Sequence, residues 1–151
     1  MYNGLVHAHS GLRWIVLILL IGAIVNAARS KSSGRYEKKD KMLNLFAMIS
    51  LHIQLVLGLV LYFMNGNNKI DFSAGWMENY MNRFFGLEHI LTMIVAIAIV
   101  TIGRRQVEKK LIGTRDKHRK ILISYTIGLV LILASIPWPF SFWSVLGGGW
   151  S

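Results

Sequence analysis

Four histidines lie in or beside the apolar stretches of this chain, and they are the residues best suited to bind a metal. His7 and His9 precede the first stretch, His52 lies near the middle of the second, and His89 lies near the start of the third. Neutral imidazole is a strong ligand for transition metals. The chain has no cysteine, which excludes disulfides, thiolate metal sites, iron–sulfur clusters and covalent c-type haem.

Two charged side chains lie at similar depths within the apolar stretches. Arg13 and Glu88 each come 16 residues before a basic terminus, at Arg29 and Arg104 respectively. At about 1.5 Å of rise per residue, both lie roughly 24 Å from the basic side. Charges at membrane depth usually have a partner, so we predict an Arg13–Glu88 ion pair, formed directly or through a cofactor or water. In the alternative, Arg13 extends to the outer headgroups and Glu88 reaches water alone.

The depths of the histidines predict which of them could bind one metal from two sides. Counted in the same way, His89 lies at about 22 Å, His52 at about 16 Å and His9 at about 30 Å from the basic side. Two axial ligands of a haem iron must bring ring nitrogens to about 4 Å from each other, because each metal–nitrogen bond is about 2 Å. His52 with His89 is the closest match in depth, and His9 with His89 is the second.

Residues around these histidines support a bound porphyrin. Arg13 lies one helical turn from His9, so it or Arg83 could bind haem propionates. Small residues near His89, such as Gly86, and Gly58 on the second stretch leave space between helices, although such residues also serve simple helix packing. The histidines could equally form hydrogen bonds between helices with no cofactor. Other candidates for a soft axial ligand are Met48 and Met93.

The composition of the chain places these residues in a membrane protein. Of its 151 residues, 54% are hydrophobic and only 16% are charged. Four stretches, at about 8–28, 42–64, 84–104 and 120–137, are apolar enough to cross a bilayer. Short connections make sequential helices antiparallel neighbours. The predicted fold is therefore an all-α, four-transmembrane-helix bundle with up-down-up-down topology, forming a single domain over residues 1–151.

The distribution of basic residues predicts the orientation of this bundle. Of the 17 Lys and Arg residues, six fall between Arg29 and Lys41 and eight between Arg104 and Lys120. Such clusters are typical of cytoplasmic loops, so both termini are predicted to lie outside. The formal charge of +10 does not indicate a nucleic-acid partner, because the basic residues flank apolar stretches instead of forming one patch on a soluble domain.

Both ends of the chain carry further signals. The small residues at 25–27 make a signal peptide an alternative for the first stretch, but the basic residues that follow it favour a retained helix. Pro137 and Pro139 are predicted to end the fourth helix. The tail beyond them is predicted to anchor at the membrane interface through its aromatic residues, Trp138, Trp143 and Trp150.

Five segments of the chain are similar to segments of one known family. They are HAHSGLRW in the first helix, LHIQLVLGLVLYF in the second, RFFGLEHILTMIVAIAIVTIGR in the third, and IPWPF followed by LGGGW near the C-terminus. Together they resemble a small bacterial family of four-helix membrane proteins labelled cytochrome b-like. The resemblance implies non-covalent haem b and electron transfer in the cytoplasmic membrane, with ligands among His7 or His9, His52 and His89. Two-haem relatives of such cytochromes pair histidines at two levels, whereas here only one level can be filled.

Three functional hypotheses follow. The first is a b-type cytochrome-like protein with one haem b, which passes electrons between a quinone and a periplasmic or complex-bound partner in the bacterial cytoplasmic membrane. The second is a cofactor-free accessory or assembly subunit of a larger membrane complex, such as a respiratory complex. The third, a proton or metal-ion carrier, is disfavoured because no continuous series of polar residues leads from His52 to the inner loop. A stand-alone enzyme is less expected, since the sequence has no nucleophile triad, phosphate loop or carboxylate dyad.

Overall fold

The residues that the structure describes form four long helices, with one short helix before the third of them. The structure is a computed structural model and describes residues 1–64, 73, 75–110 and 113–136. Within these residues there is no strand, which confirms the prediction of an all-α fold. In chain order, the elements are α1 (Tyr2–Ser30), α2 (Lys38–Met64), α3 (Tyr80–Arg83), a π-helical segment (Phe84–Glu88), α4 (His89–Lys109) and α5 (Thr114–Ser135).

In the described part of the chain, four helical segments are long and apolar enough to cross a membrane, as predicted. A helix is the form that such segments take in lipid, because it satisfies every backbone hydrogen bond without water. The helices continue past the predicted apolar stretches into polar residues at both ends of the bundle. The predicted helix stop at Pro137 and Pro139 and the tail with Trp138, Trp143 and Trp150 lie outside the described residues.

The outer surface of the bundle is apolar along all four long helices. Many large hydrophobic side chains are exposed, which in water would be an aggregation hazard but in lipid is the expected surface. Examples from each helix are Ile18, Val56, Phe63, Ile102 and Val130.

The helices pack with unequal closeness around the bundle. α4 packs most closely against α5, α1 packs against α2 and α5, and the α2–α4 seam is the loosest of these four contacts. Two glycines explain the close α4–α5 approach. A Cβ added at Gly103 would collide with Ser124, and one added at Gly128 would lie 2.6 Å from Val100 Cγ2. Small residues allow such close approach between membrane helices.

The π-helical segment changes the partner predicted for Glu88. The backbone N–H of His89 donates to the carbonyl of Phe84, a bond that spans five residues. Arg83 and Glu88 are also five residues apart, and Arg83 Nε lies 2.7 Å from Glu88 Oε1. Glu88 therefore forms an ion pair with Arg83 within its own helical segment, and the predicted direct pair with Arg13 does not form between these two described residues. A pair formed through a cofactor or water stays a prediction.

At the basic end of the bundle, Asp40 joins α1 to α2. Asn26 Nδ2 donates to Asp40 Oδ1 at 2.6 Å, and the Glu37 backbone N–H donates to Asp40 Oδ2 at 2.8 Å. The second bond caps the start of α2, where backbone N–H groups have no partner within the helix. Asp40 is buried, and its two carboxylate oxygens both accept hydrogen bonds, as a buried carboxylate requires.

A second network of polar side chains at the same end joins α2, α4 and α5. The Tyr36 hydroxyl donates to Glu108 Oε1 at 2.9 Å and accepts from Asn44 Nδ2 at 3.2 Å. Tyr125 OH in turn donates to the Asn44 carbonyl at 2.6 Å, and Lys41 pairs with Glu108 at 3.2 Å. Burial is the main cause that raises the pKa of Tyr36 to about 12, so its hydroxyl stays a donor at physiological pH.

His118 belongs to this end of the bundle as a structural residue. It lies in α5 and is only 1% exposed. His118 Nε2 donates to the Arg35 carbonyl at 2.7 Å, and its ring packs edge-on against Tyr36. The histidine thereby fastens the α1–α2 connection to α5.

Candidate functional site

A cavity of about 70 Å³ lies between α1, α2, α4 and α5 at the end of the bundle opposite the basic network. Its polar lining comes from His9 and Arg13 on α1, Gln54 on α2 and His89 on α4. We call this space the His9–His89 cavity. The remaining lining residues are Val16, Leu51, Leu55, Gly58, Leu59, Ile90, Met93, Ile97, Ile132 and Ile136.

His89 is held in one orientation by α5. Its Nδ1 lies 2.9 Å from the backbone carbonyl of Ser135. Because a carbonyl can only accept, Nδ1 carries the proton and Nε2 keeps its lone pair. This is the arrangement usual in metal-ligating histidines, whose second ring nitrogen donates to a carbonyl or carboxylate. The carbonyl of Ser135, the last residue of α5, thus determines which nitrogen of His89 is available to a ligand.

His9 enters the cavity from α1 and is positioned by α2. Gln54 Nε2 donates to the His9 backbone carbonyl at 2.8 Å. A Cβ added at Gly58 would lie 3.2 Å from His9 Cε1, so glycine leaves room for the imidazole ring at this point. The ring's Nδ1 is buried and has no hydrogen-bond partner among the described residues. A buried nitrogen without a partner is costly, and a ligand in the cavity would remove that cost.

A further polar atom of the cavity lining, Gln54 Oε1, is buried without a partner among the residues that the structure describes. Native proteins leave few such atoms, and a group of them in one place indicates a site that binds something, water included. Gln54 was not predicted as a site residue. The available sequence signal was its spacing of i, i+4 with Gly58, which puts both on one face of α2.

Arg13 supplies the positive charge in the cavity. It lies one turn after His9 on α1 and lines the same space, as its spacing predicted. Its guanidinium carbon lies 5.3 Å from the centre of the Trp14 ring. Arg83, the alternative partner for a propionate, is occupied by Glu88.

His52 does not line this cavity, so the structure does not bring together the pair best matched in depth, His52 and His89. Its Nδ1 lies 2.8 Å from the Met48 carbonyl, and its Nε2 lies 3.5 Å from Thr101 Oγ1 on α4. Thr101 comes 12 residues after His89, which corresponds to about 18 Å along the helix. Of the predicted site residues, the structure brings together His9, Arg13 and His89.

The remaining sequence candidates, Met93 on α4, Met48 on α2 and His7 on α1, lie in three different places. Met93 lines the His9–His89 cavity, whereas Met48 lines an outer groove with His52. His7 is exposed near the start of α1. The described residues contain no group of three or more His, Asp or Glu side chains that could hold a metal ion. Any metal at the cavity would therefore have few protein ligands, as haem iron does.

Comparison of the chain with protein-family models, with curated proteins and with solved structures found no match in any of the three. The functional assignment therefore depends on the geometry of the cavity and its surroundings.

Proposed function

We propose that this chain is a membrane b-type cytochrome-like protein that holds one non-covalent haem b between His9 and His89. The observation that carries the proposal is that two histidines, on α1 and α4, line one mostly apolar cavity together with Arg13 and Gln54. When bound, haem b would supply one-electron redox chemistry, with a potential adjusted by its axial ligands, burial and nearby charge.

The types of donor in the cavity suit an axially ligated haem. His89 offers Nε2, because its Nδ1–H donates to the Ser135 carbonyl. His9 offers its ring, whose buried Nδ1 has no hydrogen-bond partner among the described residues. The two residues project from different helices into one space, as ligands on opposite faces of a macrocycle must.

Charge and packing around the two histidines support the same proposal. Arg13 would bind a propionate by a charge-assisted hydrogen bond, and its position beside His9 would hold that edge of the ring. Gly58 leaves space beside His9 that any side chain would fill. The apolar lining would exclude water from the metal.

The cavity must widen to hold a porphyrin. Its volume of about 70 Å³ is well below the roughly 300–1,000 Å³ of sites that bind small organic ligands. The loosest contact between neighbouring helices is the α2–α4 seam, and residues of both helices line the cavity. We therefore propose that haem would enter between α2 and α4, with separation of these helices at the His9 end.

The arrangement of charge suggests where electrons would enter and leave. We propose an up-down-up-down bundle in the bacterial cytoplasmic membrane with the basic loops inside and both termini outside. The cavity would then lie in the outer half of the bilayer. Electrons would pass between a quinone in the membrane and a periplasmic or complex-bound partner, as the resemblance to cytochrome b-like proteins suggests.

The test is a reduced-minus-oxidised visible spectrum of the full chain, purified in detergent from haem-replete cells. We expect a sharp b-type band in the wild-type protein and its loss in His9→Ala and His89→Ala. His52→Ala is the matched control, because it removes a histidine from the other face of α2, and it should keep the band. Adding imidazole to His9→Gly should restore the band if the variant is folded and lacks only a ligand.

Two results would contradict this proposal. Absence of the band from wild-type protein would exclude the cytochrome, and loss of the band in His52→Ala but not in His9→Ala would reassign the ligands. The small cavity volume favours a second candidate, a cofactor-free accessory or assembly subunit of a larger membrane complex, in which His9 and His89 only connect helices. That candidate predicts no haem band, together with co-purification of the chain with a larger complex.

A further inference from the structure

A groove on the outer face of α2 carries a polar atom in an apolar setting. The groove has a volume of about 390 Å³ and lies between two rows of side chains spaced four residues apart. One row is Met48, His52 and Val56, and the other is Ile49, Ile53 and Leu57. Ile53 is 49% exposed and Val56 is 59% exposed, so the groove faces lipid and is separate from the His9–His89 cavity.

The protonation of His52 follows from its hydrogen bonds. Nδ1 lies 2.8 Å from the Met48 carbonyl, which can only accept, so Nδ1 carries the proton and Nε2 has a free lone pair. Among the described residues, the polar neighbour of Nε2 is Thr101 Oγ1, at 3.5 Å. The Thr101 hydroxyl already donates to the Ile97 carbonyl at 2.7 Å, so it leaves Nε2 without a good donor.

The depth of His52 restricts which donor could reach Nε2. His52 is about 20 Å from either end of α2, so it lies near the middle of the bilayer if the helix crosses it. Hydroxyl groups of glycerolipids stay in the interfacial region, away from the hydrocarbon core. A molecule that carries a hydroxyl donor to this depth must have an otherwise apolar body that dissolves in the core. A quinol meets both requirements, since it combines a ring hydroxyl with an isoprenoid tail.

We propose that the groove binds a membrane quinol, whose ring hydroxyl donates a hydrogen bond to His52 Nε2. The ring would lie between the two rows of side chains, in a space that falls within the usual range for small-molecule sites. The role of this quinol as an electron donor rests on the proposed cytochrome function, but its binding does not. α2 would then separate the two sites, with Leu51 and Leu55 lining the cavity and His52 lining the groove.

The geometry also predicts a preference between redox forms. A quinol has hydroxyl groups that donate, whereas the oxidised quinone has carbonyl oxygens that only accept. While the Met48 carbonyl keeps the proton on Nδ1, the lone pair of Nε2 can accept a hydrogen bond from a quinol hydroxyl but cannot form one with a quinone carbonyl. The groove should therefore bind quinol more tightly than quinone.

The test measures binding of decyl-ubiquinol to the full chain in quinone-free phosphatidylcholine nanodiscs under reducing conditions. We expect binding of the quinol to move the ¹⁵N resonance of His52 Nε2 in histidine-labelled protein. His52→Leu should raise the dissociation constant roughly three- to tenfold, the value of one ordinary hydrogen bond. His7→Leu, which removes an exposed histidine elsewhere, should leave it unchanged. Decyl-ubiquinone should bind more weakly than the quinol.

Three results would overturn the proposal: a His52 resonance that does not move, equal binding of quinol and quinone, or displacement of the quinol by an equal concentration of monoolein. The last would show a site for any lipid hydroxyl. The resonance of the wild-type protein is decisive even if His52→Leu does not fold. The readout is independent of haem. Quinol binding without a haem band would support this site and contradict the cytochrome proposal. A haem band without quinol binding would support the cytochrome proposal and contradict this site.

Discussion

Replacing Gly128 with alanine tests the close α4–α5 packing that holds His89 against α5. The added Cβ would lie 2.6 Å from Val100 Cγ2 and 3.4 Å from the Ala96 carbonyl oxygen. Carbon atoms pack best at about 3.5–4.0 Å, so one side must move by about 1 Å. Val100 is fully buried and β-branched, which restricts its χ1 angle, so it cannot easily rotate away.

The expected cost of this overpacking is about 1–3 kcal/mol in the free energy of unfolding. Alanine also gains up to about 1 kcal/mol over glycine in a helix, which partly hides the steric cost. Gly22→Ala is the matched control, because a Cβ at Gly22 meets nothing within 4 Å. Gly128→Ala should therefore be less stable than Gly22→Ala by about 1–3 kcal/mol, the steric cost alone.

The assay is unfolding of the purified chain in mixed micelles with increasing SDS, followed by circular dichroism. Val100→Ala combined with Gly128→Ala should recover stability relative to the sum of the single changes, because the shorter side chain makes room for the new methyl group. The double-mutant cycle should give a coupling of at least about 1 kcal/mol. Equal stability of Gly128→Ala and Gly22→Ala, or a cycle without coupling, would refute the packing described between Gly128 and Val100.

Two further changes test polar contacts with the same unfolding assay. Asp40→Ala leaves the Asn26 amide and a backbone N–H at the start of α2 without acceptors, so it should lower the free energy of unfolding by about 2–4 kcal/mol. The control is Asp116→Ala, at an exposed position, which should lower it by less than about 0.5 kcal/mol. If the two aspartate variants are equally stable, the Asp40 network has no structural role. Glu88→Gln should change stability by less than about 1 kcal/mol, since the pair with Arg83 is partly exposed; a larger loss would indicate an additional buried partner for Glu88.

The histidines show most clearly where sequence reasoning succeeded and where it did not. Counting residues from the basic ends estimates depth, and it favoured His52 as the partner of His89. It contains no information on rotation about the helix axis, and adjacent residues point about 100° apart. Leu51 consequently lines the cavity while His52 lines the outer groove. His9, ranked second by depth, is the histidine that shares a cavity with His89.

The direct ion pair predicted between Glu88 and Arg13 does not form, for a related reason. The prediction treated the third stretch as one regular α-helix and looked for a cation at equal depth on another helix. The π-helical segment, Phe84–Glu88, instead brings Glu88 close to Arg83 within the same stretch. A single extra residue in one turn has no clear sequence signature, because it depends on how the helix packs at its start.

The sequence by itself determined how many of the described helices are apolar enough to cross a bilayer and which end of each carries the basic residues. Both depend on local composition, because the bilayer selects apolar stretches of sufficient length whatever their neighbours are. The tertiary structure decided which faces meet, and therefore that His9, Arg13 and His89 share a cavity. In a membrane helix both the lipid and the bundle interior are apolar, so a stretch that is hydrophobic all round does not mark the face that will be buried.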